Sequence, residues 1–397
     1  MTRMSLLFAK IAGHLHLWRL AVLAYAVGAN SFGKMKGSVA HLHYVLMMCR
    51  ESSLARNLVA KLIYQELDQS AENNLWLARM SWVLGKPELA LLILKRTERL
   101  FPGHVAAKTA SSLRRFAEAA LSGAMTAQLE SAMEHAQLPA VRSRPIVVTM
   151  VSWRLWDIFH IWLSQAQRHT SGYLLIFALD QKSAEALRNM PNCGVVDVSS
   201  WFDFDQAGRL DSFSIKNLWV LRVLALRVLV QRNYDVASLD LDAIMVGNLD
   251  EMLESFPATD IVAQMDYSIP MDVARQFGFI LCCGFLVLRS NDRVAKFLDE
   301  YSKRTTLEID DQLAINHLLA DNGISDKVQT GRFTTFRSMG LSWLCPAPSL
   351  VSREISSGSV VRHFLLKDLT ANAVREALGL QKEDSSDVPL TKELAGR

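Results

Sequence analysis

Hydrophobic residues are spaced differently in the two main parts of this chain. Up to about residue 140, apolar positions recur with helical spacing and β-branched runs are few. Beyond that point, short apolar runs of strand length alternate with helical segments. The pattern predicts three units: an all-helical domain over residues 1–140, an α/β domain over residues 145–370, and a C-terminal helix with a polar tail over residues 371–397.

The α/β part has a regular order of elements. Strands are predicted at 146–151, 173–179, 194–198, 234–239, 279–288 and 360–364, with helices at 156–168, 183–190, 215–232, 292–303 and 310–319. This alternation predicts a mostly parallel, Rossmann-type sheet with helices on both faces. The strands are continuously hydrophobic, which agrees with burial on both sides. Ligands of such sheets bind at the carboxyl ends of the strands, where Thr149, Asp180 and Asp240 are expected.

One segment of the helical part resembles a tetratricopeptide-like helical hairpin. Ala78, Gly85, Ala90 and Pro102 occupy the small-residue and terminal-proline positions of that repeat. The spacing fits a single repeat, whereas a solenoid needs about three units to bury its faces. We therefore expect a helical domain that is repeat-like at most, and a protein partner for it is a hypothesis.

The N-terminal segment predicts an amphipathic basic helix. Its apolar residues recur at helical spacing beside basic ones: Leu6, Leu7, Ile11, Leu15, Trp18 and Val22 with Lys10, His14 and Arg19. The longest uncharged run, residues 20–33, has 14 residues, and about 20 are needed to span a bilayer. The helix is expected to pack on its own domain or to make peripheral contact with a membrane surface.

Composition and charge exclude several classes of protein. Of the 397 residues, 50% are hydrophobic and 21% are charged, and the net charge is +3. These values describe a globular chain without the basic footprint of a nucleic-acid-binding protein. The five cysteines include no C-x-x-C pair, so a structural zinc site is not indicated and reduced thiols are expected. Reduced thiols predict a reducing compartment and hence a cytoplasmic location, either free or peripheral to a membrane.

The segment Asp240-Leu241-Asp242 is the strongest candidate for chemistry. It directly follows a predicted buried strand. One intervening residue lets both carboxylates approach one hard cation, and oxygen ligands suit Mg²⁺ or Mn²⁺. The spacing alone is weak evidence, because Asp203 and Asp205 repeat it in an aromatic-rich loop. A solvated loop or a helix N-cap is the alternative.

Three further positions could contribute to a site. Gly284 interrupts an apolar strand, where a glycine permits close approach of a ligand. Asp311 and Gln312 open a predicted helix, although carboxylates are also common there as N-caps. His363 ends a short strand, and an isolated histidine is often structural.

Several segments occur in the order seen in one enzyme family. They are PIVVTMV from residue 145, LLIFALD ending at Asp180, SLDLDAIMVGNLDEML, CCGFLVLRS, DDQLAINHLL and VVRHF. With these segments, the chain over about residues 145–370 resembles the GT-A-fold nucleotide-diphospho-sugar transferases. The resemblance implies a metal-dependent enzyme that transfers a sugar from a nucleotide donor with retention of anomeric configuration. The implied acceptor is a glycan, a lipid-linked glycan or another hydroxyl compound.

The resemblance also implies roles for single residues. Asp240 and Asp242 match the family's metal and diphosphate motif, and His363 matches the histidine that completes the metal shell. The implied metal is Mn²⁺ or Mg²⁺, and the implied donor is a UDP-linked sugar. Asp311 and Gln312 match the pair beside the donor sugar. Three positions match the rest of the donor site: Thr149 and Asp180 beside the nucleoside, and Lys216 at a basic position that precedes the metal strand.

Two positions depart from the family pattern. Cys282 stands where family members often have asparagine, so a contact to sugar or acceptor is expected to be lost. The segment Leu365-Leu366-Lys367 lacks the glycine common in related retaining enzymes. The resemblance therefore does not assign Lys367 a role in binding phosphate.

Two other functions remain open from the sequence. An apolar strand ending in Asp-x-Asp also occurs as the nucleophile motif of haloacid-dehalogenase-like phosphatases, but that motif normally lies on the first strand of its domain. Here at least three predicted strands precede it. A non-catalytic scaffold with a degenerate transferase domain is the second alternative, because a fold alone does not fix a function.

Overall fold

The structure is a computed structural model. It describes residues 9, 12, 18–28, 42, 45–46, 53–140, 142, 144–188, 190–202, 204, 214–267, 269–308, 310–347, 350–352, 359–364 and 370–380. Several positions discussed above lie outside these residues: Leu6, Leu7, Lys10, Ile11, His14, Leu15, Asp203, Asp205, Leu365, Leu366, Lys367 and the tail beyond residue 380.

The first part of the chain is helical, as expected. Its described helices are α1 (Trp18–Gly28), α2 (Ser53–Glu66), α3 (Ala71–Val83), α4 (Pro87–Leu100), α5 (Val105–Ser122) and α6 (Ala124–Glu134). The Ser70 side chain accepts a hydrogen bond from the Asn73 amide at 3.1 Å and so caps α3. Gly85 has φ +71°, a left-handed conformation that suits glycine, in the turn between α3 and α4.

Helices α3 and α4 form the predicted hairpin. Ala78 and Ala90 are both buried, and small side chains at such positions let two helices approach closely. A repeat architecture stays a prediction. Helix α1 packs on α2, where Lys61 Nζ donates to the Ala26 carbonyl at 3.2 Å. Of the helices that the structure describes, none combines the length and the apolar character needed to cross a bilayer; contact with a membrane surface stays a prediction.

The second part contains short strands and helices in alternation. The strands are β1 (Ile146–Val151), β2 (Tyr173–Ala178), β3 (Cys193–Asp197), β4 (Val236–Leu239), β5 (Ala243–Met245), β6 (Ile261–Asp266), β7 (Ile280–Leu288), β8 (Ser325–Gln329), β9 (Phe333–Ser338), β10 (Leu341–Pro346), β11 (Val351–Ser352) and β12 (Val361–His363). The helices are α7 (Trp156–His169), α8 (Gln181–Leu187), α9 (Ser214–Gln231), α10 (Leu249–Glu254), α11 (Met271–Phe277), α12 (Asp292–Glu308), α13 (Asp311–Asn322) and α14 (Ala371–Leu378).

The described strands form one large sheet and one small sheet. The large sheet has the order β3-β2-β1-β4-β7-β6-β10-β9-β8, and the small sheet the order β11-β12-β5. Strands β3, β2, β1 and β4 are parallel, and β7 runs antiparallel between β4 and β6. The predicted α/β class, with helices on both faces of a mostly parallel sheet, is confirmed. Antiparallel pairs such as β7 with β4 and β6 make the large sheet mixed, and the small sheet is an addition to the prediction.

Apolar cores cover both faces of the large sheet. Side chains of α9, α12 and α13 fill one face, and those of α7, α8 and α10 fill the other. Met125, Leu129 and Met133 of α6 join the first of these cores, so packing continues across residue 140. A division of the chain there stays a prediction.

The helical part also contacts the sheet domain directly. Trp82 Nε1 on α3 donates to the carbonyl of Thr306 on α12 at 2.7 Å. Val83 and Leu313, at the end of α3 and the start of α13, pack against each other. The cysteines within the described residues, Cys193, Cys282, Cys283 and Cys345, form no disulfide, consistent with the expected reduced thiols.

Candidate functional site

Three ligand-type side chains meet where β4 ends. Asp240 directly follows β4, and Asp242 directly precedes β5. Strand β12 pairs antiparallel with β5, and His363 lies opposite Ala243. One ligand atom from each of Asp240, Asp242 and His363 lies within 4.8 Å of the others. The structure thus brings together the three residues predicted to bind a metal.

The donor set fits a divalent cation. Asp242 Oδ1 is buried and has no hydrogen-bond donor, and His363 Nε2 lies 3.4 Å from it. A buried carboxylate oxygen without a partner is costly, and a cation would satisfy it. Carboxylates favour Mg²⁺ and Mn²⁺, while imidazole favours transition metals, so the combination suits Mn²⁺ well.

The backbone holds the loop between the two aspartates in place. The Asp240 amide donates to the Gly284 carbonyl of β7 at 2.9 Å, and the Ala243 amide donates to the Asp240 carbonyl at 2.9 Å. The Phe364 amide donates to the Asp242 carbonyl at 2.7 Å. These bonds tie the loop to β7 on one side and to the end of β12 on the other.

Gly284 makes room for the histidine ring. A Cβ added at Gly284 would lie 2.2 Å from His363 Cε1 and 2.7 Å from Nε2. The imidazole therefore packs directly on the backbone of β7. The sequence predicted close approach of a ligand at this glycine, and the group that approaches it is His363 itself.

The side chains around His363 shift its pKa. Burial alone would lower this pKa, but the Asp242 carboxylate and the Cys282 thiol raise the pKa of His363 well above its usual range. Because a ligating histidine must be neutral, a cation bound at Nε2 would compete with a proton there.

Arg222 on α9 is a site residue that the sequence analysis missed. Its Nη1 donates to Asp240 Oδ1, and its Nε and Nη2 donate to Asp311 Oδ2, the former at 2.7 Å. The guanidinium is buried and joins the metal cluster to the start of α13. An arginine inside the run VLRVLALRVLV was the available signal, because an unpaired charge is rarely buried.

The carboxylates that Arg222 contacts have shifted pKa values. Burial raises the pKa of Asp311 to about 6, although Arg222 opposes the shift. Burial also raises the pKa of Asp240, again against the lowering effect of Arg222. Burial therefore outweighs pairing at both groups. Such perturbed carboxylates in one cleft are typical of functional sites.

The residues around the start of α13 have separate contacts. Asp310 caps the helix by accepting from the Leu313 amide at 3.0 Å, so the capping alternative applies to Asp310 rather than to Asp311. Lys216 Nζ donates to Asp310 Oδ2 at 2.7 Å and lies 3.7 Å from the centre of the Trp219 ring. Gln312 Nε2 donates to the Ile269 carbonyl at 2.8 Å.

Thr149 lies on β1, and Asp180 lies just beyond the neighbouring parallel strand β2. Asp180 follows β2 and caps α8, where its Oδ1 accepts from the Ser183 amide at 2.9 Å. Its Oδ2 accepts from the Trp153 amide, just beyond β1, at 2.6 Å. Thr149 is buried on β1, and its Oγ1 has no hydrogen-bond partner. Contact of either residue with a nucleoside stays a prediction.

The middle of the chain matches a known protein family. Residues 171–342 match the family model described as nucleotide-diphospho-sugar transferase. This match confirms the resemblance over these residues, and the family consists of enzymes. The matched stretch contains Asp180, Lys216, Asp240, Asp242 and Asp311. Thr149 and His363 lie outside it. A search of curated protein sequences gave no significant match.

Solved structures of glycosyltransferases resemble this chain at low sequence identity. The galactosyltransferase LgtC, in complex with donor and acceptor sugar analogs, is 13% identical with a TM-score of 0.36, covering 59% of this chain and 95% of LgtC. Mouse xyloside xylosyltransferase 1 is 12% identical with a TM-score of 0.34, covering 59% and 93%. The bifunctional enzyme WbbM is 16% identical with a TM-score of 0.33, covering 46% of this chain and 38% of WbbM.

The contact between Gly284 and His363 leads to a stability prediction. Gly284→Ala should destabilise the protein by about 1–3 kcal/mol, because its Cβ overlaps a buried ring in a packed strand. Gly331→Ala is the matched control, since a Cβ there meets nothing within 4 Å, and its effect should stay within about 0.5 kcal/mol. Urea unfolding measures both variants. Equal stability of the two would contradict the close packing of the ring on Gly284.

Proposed function

We propose that this protein is a metal-dependent glycosyltransferase that uses a UDP-linked sugar and a glycan or lipid-linked hydroxyl acceptor. The observation that carries the proposal is the convergence of Asp240, Asp242 and His363 beside a buried carboxylate oxygen without a hydrogen-bond partner. The match of residues 171–342 to the nucleotide-diphospho-sugar transferases supports the same conclusion. Transfer proceeds with retention of anomeric configuration.

Each group of residues has a role in the proposed site. Asp240, Asp242 and His363 hold Mn²⁺ or Mg²⁺, which when bound offsets the charge that develops on the departing diphosphate. Thr149 and Asp180 lie on the nucleoside side, and Lys216 supplies a cation at the donor site. Gln312 orients the donor sugar. Arg222 keeps the carboxylates of Asp240 and Asp311 in fixed positions, because its planar guanidinium bonds both.

The contacts of Asp311 favour one of two retaining routes. Its Oδ2 accepts two hydrogen bonds from Arg222, and its Oδ1 accepts one from the Gln312 amide at 2.8 Å. A carboxylate engaged at both oxygens is a poor nucleophile for a double displacement. We therefore favour attack of the acceptor on the face that the leaving group departs from, with the leaving phosphate taking the acceptor's proton. Asp311 then stabilises positive charge at the anomeric carbon.

Binding of nucleotide is the first test. Calorimetric titration should show UDP binding that weakens at least about tenfold without Mn²⁺, because the cation bridges carboxylates and diphosphate. GDP is titrated in parallel to test the base. Asp242→Asn should abolish the Mn²⁺ dependence by removing a ligand. Asp326→Asn, an exposed aspartate on the edge strand β8, is the control and should bind UDP as the wild type does.

Other outcomes of this titration lead to the alternative functions. If the folded protein binds neither UDP nor GDP, the transferase proposal fails. Release of phosphate from simple phosphate esters would then favour a phosphatase. Nucleotide binding that Asp242→Asn leaves unchanged, without turnover, would favour a scaffold.

The role of Arg222 leads to a kinetic prediction. Arg222→Lys should lower the rate of UDP release from the best of a panel of UDP-sugars by about 10–100-fold, which corresponds to roughly 1.4–2.8 kcal/mol of barrier. Lysine keeps the charge but cannot bond Asp240 and Asp311 together. Arg227→Lys, on the same helix and paired with Asp299, should stay within about twofold of wild type. A wild-type rate in Arg222→Lys would refute the role.

Stereochemistry tests the retaining mechanism separately. With an α-linked UDP-sugar, the transferred or hydrolysed sugar should first appear as the α anomer, because a retaining reaction preserves the configuration at the anomeric carbon. Proton NMR spectra recorded within minutes, before mutarotation, distinguish the two anomers. First appearance of the β anomer would mean inversion and would exclude both retaining routes.

A further inference from the structure

The ring of His363 has polar neighbours on both nitrogens. Asp242 Oδ1 lies 3.4 Å from Nε2, on the side of the metal cluster. On the opposite side, Gln264 Oε1 lies 2.7 Å from Nδ1. Cys282 Sγ also faces Nδ1, but at 3.8 Å. Gln264 is buried with 3% of its surface exposed, so its amide has no access to bulk water.

An irregularity in the sheet directs Gln264 toward this ring. Strand β6 pairs Ala263 with Leu286 of β7, but the next residue, Gln264, pairs with Cys282. The shift leaves the β7 residues between these two partners, which include Gly284, outside the regular ladder. Bulges of this kind are common beside active sites, where they redirect side chains. Here the same bulge exposes the Gly284 backbone to the His363 ring and places Gln264 beside Nδ1 of that ring.

We propose that Gln264 is the positioning residue for His363: its side-chain oxygen accepts a hydrogen bond from Nδ1–H and so directs the lone pair of Nε2 at the cation site beside Asp240 and Asp242. This inference rests on the proposed role of His363 as a metal ligand. In histidines that bind metals, the N–H of the other ring nitrogen usually donates a hydrogen bond to such an acceptor. This bond fixes the tautomer and the orientation of the ring.

Neither of the other neighbours can replace this hydrogen bond. Packing on Gly284 fixes the plane of the ring, but it does not distinguish the two orientations related by a half-turn. A thiol at 3.8 Å is a weak acceptor. The amide oxygen of Gln264 is therefore the group that keeps Nδ1 away from the cluster and Nε2 toward it.

Titration of Mn²⁺ alone into the purified full chain tests the proposal. Gln264→Met keeps the length and removes the acceptor, and it should weaken Mn²⁺ binding about 10–100-fold. Gln264→Glu keeps an acceptor at the same reach and should stay within a few-fold of wild type. Cys282→Ala is the matched control at the same nitrogen and should also stay within a few-fold. Thermal melting verifies that each variant is folded.

A second readout follows the ring itself. In the Mg²⁺-loaded protein, nitrogen NMR should show His363 protonated at Nδ1, with its signals assigned through His363→Gln. The Nδ1 proton should persist in Gln264→Glu and be lost or exchange rapidly in Gln264→Met. A purely structural role for Gln264 would change the melting temperature without changing this signal.

The outcomes separate this inference from the proposed function. If the wild type binds no Mn²⁺, the metal site itself is wrong. If the wild type binds Mn²⁺ and Gln264→Met binds it equally well, the positioning role is refuted. Should Gln264→Met not fold, Gln264→Asn withdraws the amide by one methylene and should cost at least about tenfold in affinity; wild-type affinity there would refute the role in the same way.

Discussion

The constraint that organises this site is the crowding of three carboxylates, two of them buried, around one point of the fold. Asp240, Asp242 and Asp311 converge there, and burial raises the pKa of both Asp240 and Asp311. Like charges in a low-dielectric setting destabilise one another unless cations lie between them. Arg222 supplies one such cation through bonds to two of the three carboxylates. The ring of His363 lies 3.4 Å from the third, Asp242, and a divalent cation held by Asp240, Asp242 and His363 would add positive charge there.

Long-range strand pairing brings these groups together. His363 reaches Asp242 because β12 pairs with β5, although 121 positions separate the two residues in the chain. Asp240 is held by the carbonyl of Gly284 on β7, and the bulge between β6 and β7 leaves that glycine outside the regular ladder. The small sheet and the bulge thus have a common consequence. They bring segments that are remote in sequence to one site.

This explains which parts of the structure could be predicted from the sequence. Strands such as β1 and β2 are visible as apolar runs, because burial on both faces leaves a local signature. The order of the motifs predicted that Asp240, Asp242 and His363 lie together, as they do in the structure. The reversed direction of β7 and the pairing of β12 could not be predicted, since both depend on contacts between distant segments. Arg222 and Gln264 could not be predicted as site residues, because their roles depend on the side chains that they contact in the fold.

The helical part of the chain bears on the same site through packing. Trp82 bonds to the carbonyl of Thr306 near the end of α12, and Val83 packs on Leu313 in the first turn of α13. That turn also carries Asp311, whose carboxylate bonds to Arg222. Lys216 lies on α9, the helix that also carries Arg222. It pairs with Asp310, the N-cap residue of α13. The end of α3 is thus packed against the start of the helix that presents Asp311, so the position of this helix depends on the helical part of the chain.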